Sequence, residues 1–160
     1  LSDRRPRPWN QWPEIAWRDY RTPGHLGDLP HAWIGAEYIL AFLSLFLYER
    51  EADQALVIGA GIPEDWLDDP EGIEVKGLRC RYGRLDLSLR RTPEQDLQLE
   101  LGGELGLPPG GIIFQPPGEK PLRAVLINDQ PTRPFSPFAV RIGEFPAEVL
   151  LSYRCHSSIR

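Results

Sequence analysis

Trp12, Glu14, Trp17, His31, Trp33 and Glu37 put three indoles, two carboxylates and an imidazole into one short stretch near the start of the chain. Asn10 and Gln11 add amides, and Asp19 and Asp28 add further carboxylates. Sugar sites are made of such groups: an aromatic face stacks on the apolar face of a pyranose, and amides and carboxylates take its hydroxyls. On spacing alone, an aromatic-rich core edge with solvated charges is the simpler reading.

Other chemistries find less support. His25, His31 and His156 show no metal-ligand spacing, and Cys155-His156 lacks the partners of a zinc motif. Neither a metal nor a cofactor is expected. No serine sits in a G-x-S-x-G elbow. Gly59-Ala60-Gly61 and Gly102-Gly103 lack the lysine and helix of a phosphate loop and read as turns. Cys80 and Cys155 form either one bridge or two ordinary thiols, which leaves the compartment open between cytoplasm and a secreted or periplasmic location.

The elements that must hold the aromatic cluster fall into two styles. Residues 1–29 carry prolines at 6, 8, 13 and 23, and no helical period survives them. That segment also holds Trp9, Trp12, Trp17 and Tyr20, so it needs a surface to lie on. Asp28 is a fair N-cap and Pro30 fits a first helical turn, which predicts a helix from about Pro30 to Arg50. Between Ala32 and Tyr48 only Gly35, Glu37 and Ser44 are not apolar, so the helix is expected to be buried on several sides. It is short for a membrane span, and no membrane role is expected.

From Ala55 the period changes to two. Strands are predicted near Ala55–Gly59, Gly72–Leu78, Arg84–Arg91, Asp96–Leu101, Gly111–Gln115, Leu122–Asn128, Phe138–Ile142 and Ala147–Tyr153, with a helical turn at Pro63–Leu67. Leu85, Leu87 and Leu89 alternate with Asp86, Ser88 and Arg90, which gives that strand one wet face. Glycine and proline, 15 and 17 residues, make up a fifth of the chain and favour turns over a helical bundle. The expected fold is mainly β: an antiparallel β-sandwich with one long buried N-terminal helix. Ile39, Phe42, Leu43, Phe46, Leu56, Ile58, Val75, Leu85, Leu87, Leu99, Ile113, Val125, Ile127, Val140 and Leu150 are its expected core.

Charge and composition narrow the classes. The 160 residues carry a net charge of −5, against a nucleic-acid partner. Apolar residues at 41% and charged ones at 26% are globular composition. The chain opens without an initiator methionine or an apolar signal run and reads as a piece of a longer protein.

Three motifs, in order, carry a resemblance. Trp12-Pro13-Glu14 followed by Thr22-Pro23-Gly24, then Pro30-His31-Ala32-Trp33-Ile34-Gly35, then Arg81-Tyr82-Gly83-Arg84 before Leu85–Leu89 resemble the C-terminal end of six-hairpin (α/α)6-toroid glycosidases. That group includes α-L-rhamnosidases and glucoamylase-like enzymes. Leu107-Pro108-Pro109-Gly110-Gly111 fits a later strand of the sandwich that follows the barrel. Pro30 stands where rhamnosidase-like enzymes have asparagine, and Glu14 lacks the Glu-Asn/Gln-Tyr context of related families.

The resemblance implies residues 1–52 as the end of a catalytic barrel and 53–160 as an accessory β-sandwich. It implies Glu14 as a catalytic base, and Trp12, Trp17, His31, Trp33 and Glu37 as sugar-contacting residues. The general acid belongs to an earlier helix absent from this chain, so no glycosidase activity is expected of it alone. The implied partners are a carbohydrate and the rest of the parent barrel. Separately, the helix from Ala32 to Tyr48 has more apolar circumference than one sheet can hide, so the chain is expected to self-associate through that face or to tuck Trp9–Tyr20 back over it. Two other readings stand beside the glycosidase one: a non-catalytic carbohydrate-binding module of a multidomain protein with a discoidin-type (coagulation-factor type C) domain, and an interaction sandwich with no sugar role.

Overall fold

The computed structural model describes residues 11–15, 27–133 and 135–153. Trp9, Trp17, Asp19, Tyr20, Thr22-Pro23-Gly24, His25, Cys155 and His156 lie outside the described residues. The chain divides into two units, Leu1–Ser44 and Leu45–Arg160.

The protein is mainly β. The first unit carries one helix, α1 (Ala32–Leu43). The second carries β1 (Leu47–Arg50), β2 (Ala55–Ile58), a 3-10 turn (Glu64–Asp68), β3 (Ile73–Cys80), β4 (Gly83–Arg91), β5 (Leu97–Leu105), β6 (Ile112–Phe114), β7 (Ala124–Ile127), β8 (Gln130–Thr132), β9 (Val140–Ile142) and β10 (Ala147–Ser152). They form a four-stranded sheet, β1-β2-β6-β9, and a six-stranded sheet, β3-β4-β5-β10-β7-β8. Every pairing between named strands is antiparallel except β2 with β6.

The two sheets share one core. Leu85, Leu87 and Leu89 of β4 and Leu97, Leu99 and Leu101 of β5 join Leu56, Ile58, Ile112, Phe114, Val140 and Ile142 in a single buried cluster. Strand alternation delivers this: Leu87 stands opposite Leu101, and Leu89 opposite Leu99. The short strands β2 and β6 are buried on both faces, and Ala55, Val57, Ile113 and Ala139 form a second cluster. At Gly83, φ is 135° and a Cβ would collide with the Glu104 carbonyl, so glycine is required where β4 begins.

Two expectations about the helix are corrected. It stops at Leu43, not Arg50. Leu45–Arg50 instead belongs to a hairpin: Leu47 pairs with Ile58 and Arg50 with Ala55, while Gly59 and Gly61 donate N–H to the carbonyls of Phe46 and Leu45. Arg50 grips Asp53 with two 2.8 Å bonds across the turn and holds that carboxyl below its ordinary range. The apolar run thus crosses from helix to strand with no glycine or proline marking the change. Nor is the helix buried: α1 has no buried residue, and Ile39, Phe42 and Leu43 are exposed rather than core. The sandwich core is filled by its own two sheets. Val75 and Leu150 are half-buried, and the other expected core residues of the strands are buried.

Leu99→Ala should therefore cost about 2–5 kcal/mol in urea unfolding, while Ile39→Ala should stay within about 0.5 kcal/mol. Comparable losses for both would contradict the division between core and exposed helix.

The end of β10 supplies a second test. Asp96 and Ser152 are buried and bonded at 2.8 Å. The neighbouring Tyr153 hydroxyl is buried with no hydrogen-bond partner among the described residues, and burial pushes its pKa up to about 12. The folded protein favours the neutral phenol, so this stability is present below the unfolded pKa of about 10 and is lost as pH rises toward 12. Tyr153→Phe should be as stable as the parent at neutral pH and should lose less stability between pH 10 and 12, measured by urea midpoints at each pH.

Candidate functional site

The sequence-predicted cluster is built by two short segments of the first unit. Residues Trp12–Glu14 run beside Asp28–His31, joined by two backbone bonds. His31 N–H donates to the Trp12 carbonyl at 2.7 Å, and Glu14 N–H donates to the Asp28 carbonyl at 3.0 Å. Asp28 N–H reaches the Glu14 carboxylate at 3.5 Å. Gly27 makes room for that carboxylate: its φ is 60°, and a Cβ there would stand 2.9 Å from Glu14 Oε2.

The helix begins later than expected. His31, not Asp28, is the N-cap, and its Nδ1 accepts the Ile34 N–H at 3.3 Å. A histidine in this role carries its proton on Nε2 when neutral, because the Nδ1 lone pair is engaged. Asp28, released from capping, stands with Glu14 and His31. One side-chain ligand atom from each of the three lies within 4.8 Å of the others. These three side chains are of the kind that hold a divalent cation. Their separations along the chain, 14 and three residues, match no ligand motif, so spacing alone could not find them. Asp28 is the site residue that sequence reasoning assigned elsewhere.

The aromatics take up two positions on α1. Trp12 lies against Tyr38, with ring centroids 4.7 Å apart and planes tilted by 31°. Gly35, one turn earlier on the same side, leaves only ordinary contact distance to the Trp12 ring. Trp33 is 70% exposed. Its indole N–H donates to Glu37 Oε1 at 3.1 Å, one helical turn on, which restrains the ring. The His31 and Trp33 rings lie with centroids 6.3 Å apart and planes inclined by 29°. Glu37 is exposed, in contrast to its expected place inside a buried helix, and Trp33 is its neighbouring polar partner. Trp17 lies outside the described residues, so Trp12, Glu14, His31, Trp33 and Glu37 are the site residues with assigned positions.

One carboxylate oxygen each of Glu14 and Asp28 lies within 4.8 Å of the other and of a His31 ring nitrogen. What the cluster offers is an open indole face beside an imidazole and two carboxylates.

Elsewhere, depressions on the outer face of the six-stranded sheet are shallow. The one lined by Glu74, Lys76, Asp86, Ser88, Glu100 and Gly102 encloses about 250 Å³. Its charged groups are already partnered: Lys76 with Glu74, Asp86 with the Gly77 N–H, and Glu100 with Arg90.

Comparisons with protein families, with curated proteins and with solved structures return no match to this chain. The site's own geometry therefore carries the functional argument.

The role of His31 as a cap makes a clear prediction. Replacing it by alanine should destabilise the start of α1 by about 0.5–2 kcal/mol, whereas asparagine, a good N-cap, should restore most of it. Hydrogen exchange at the Ile34 amide reads this directly. Equal protection in all three proteins would show that the imidazole does not cap the helix.

Proposed function

We propose that this chain is the C-terminal part of a glycoside hydrolase-like, carbohydrate-active protein. Residues of the first unit are remnants of its sugar site, and the strands form its accessory β-sandwich. The observation that carries the reading is Trp33: a largely exposed indole, restrained by Glu37, with His31 beside it and Glu14 and Asp28 next to His31. Such a face stacks on a pyranose ring while the polar groups take its hydroxyls. Glu14 keeps the role of base that the family resemblance implies. The acid comes from another helix of the parent, so this chain alone binds sugar without hydrolysing it.

The exposed apolar side chains of α1, among them Ile39, Leu40 and Leu43, supply the other half of the proposal. Their partner is the remainder of the parent barrel, and in its absence a second copy of the chain.

Tryptophan fluorescence tests the sugar reading, with mono- and oligosaccharides titrated into the chain and into Trp33→Ala. The expected result is a saturable change that Trp33→Ala abolishes, with no release of reducing sugar from glycoside substrates. No change across the panel, or the same change in the variant, would overturn the assignment of Trp33. Turnover by the chain itself would overturn the division of catalytic groups.

A further inference from the structure

We propose that Glu14, Asp28 and His31 form a binding site for a first-row divalent metal cation such as Zn2+ or Mn2+. The site lies within the cluster read above as sugar-binding, but the inference rests on the donor set and its placement, not on sugar recognition.

The three residues supply two carboxylate oxygens and one imidazole nitrogen, all within 4.8 Å of one another. Mixed oxygen and nitrogen donors suit Zn2+ and Mn2+ better than Ca2+, which prefers oxygen alone. Around a tetrahedral ion with bonds of about 2.0–2.2 Å, neighbouring ligand atoms stand about 3.4 Å apart. The side chains need to draw in by little more than one ångström. Glu14 and Asp28 are exposed and free to do so, while two backbone bonds hold their segments together. Three protein ligands leave the remaining positions of the ion for water or a ligand hydroxyl.

The charge state of the cluster points the same way. Several carboxylates of the strand unit are paired with a cation: Asp53 with Arg50, Glu64 with Arg91, Glu100 with Arg90 and Glu74 with Lys76. Among the described residues no Lys or Arg pairs with Glu14 or Asp28, and the only donor to either side chain is the Asp28 amide at 3.5 Å. Among the described residues no cation offsets these two carboxylates, and a divalent ion would supply that charge.

Binding has a structural consequence specific to this site. The neutral imidazole has one lone pair, and Nδ1 uses it to accept the Ile34 N–H. An ion bound at Nδ1 displaces that amide. An ion bound at Nε2 moves the ring proton to Nδ1, which then no longer accepts. Either way the cap of α1 is released, so the Ile34 amide reports occupancy.

The test uses the whole chain without sugar, titrated with ZnCl2 and, separately, MnCl2 by calorimetry and by amide NMR. We expect one ion per chain, a shift of the Ile34 amide with Zn2+, and line broadening around residues 14, 28 and 31 with Mn2+. The Glu14→Gln/Asp28→Asn variant should weaken binding by about tenfold or more. His31→Asn, which keeps a cap on the helix, should also weaken binding and should abolish the Ile34 response. Saturation absent below about 1 mM, or binding unchanged in these variants, would overturn the proposal. Because no sugar is present, its failure is distinguishable from failure of the Trp33 titration.

Discussion

The seam between β4 and β5 holds the sandwich to one arrangement. Leu87 and Leu89 stand opposite Leu101 and Leu99 across the ladder, and with Leu85 and Leu97 they share one core with the aliphatic and aromatic side chains of β2, β6 and β9. A slip of one residue would turn Asp86, Ser88 and Arg90 into the core and the leucines into water. The polar face is itself cross-linked, with Arg90 bonded to Gln98 and Glu100, and Gln98 to Glu148. Burial on one side and polar pairing on the other therefore select the same register. The remaining strands of the larger sheet add to that fixed pair, β3 beside β4 and β10 beside β5.

The first unit is organised by a different principle. Its described residues have little buried apolar surface, and local hydrogen bonds carry the arrangement. The Trp12 carbonyl, the Asp28 carbonyl and the His31 ring each take a specific N–H. Those few bonds bring together Glu14 and Asp28, which are far apart in sequence, and place both beside the helix start. They also leave Trp33 facing outward, restrained by Glu37 instead of by packing. A site of this kind is well placed to exchange partners, since a few local bonds, not packing, hold its residues in place.

The sugar reading and the cation reading draw on different parts of this unit. Stacking depends on the open indole and on the Glu37 bond. Ion binding depends on the two carboxylates and on the imidazole. His31 is common to both, being close to the Trp33 ring and to the two acids. Its engagement as a helix cap ties the ordering of α1 to whatever occupies the cluster. The exposed apolar face of α1 is independent of these groups and belongs to a separate question of association.

Much of the strand unit was legible in the residues. Alternating leucines located β4 and β5, because a half-buried strand writes its period directly into the sequence, and short apolar or alternating runs between turn signals located six further strands. The strands β1 and β8 were hidden. The first continues an apolar helical run without a breaker, and the second is three residues long and carries Pro131. The aromatic and acidic residue types of the candidate site were equally plain. Their geometry was not, because Asp28 and His31 both have the chemistry of an N-cap. Only the pairing of Trp12–Glu14 with Asp28–His31 decided that His31 caps and Asp28 joins Glu14. Tertiary structure also decided which apolar residues are buried. Sequence gives their types and period, but burial depends on which surfaces meet, and the sandwich core is complete without Ile39, Phe42 and Leu43.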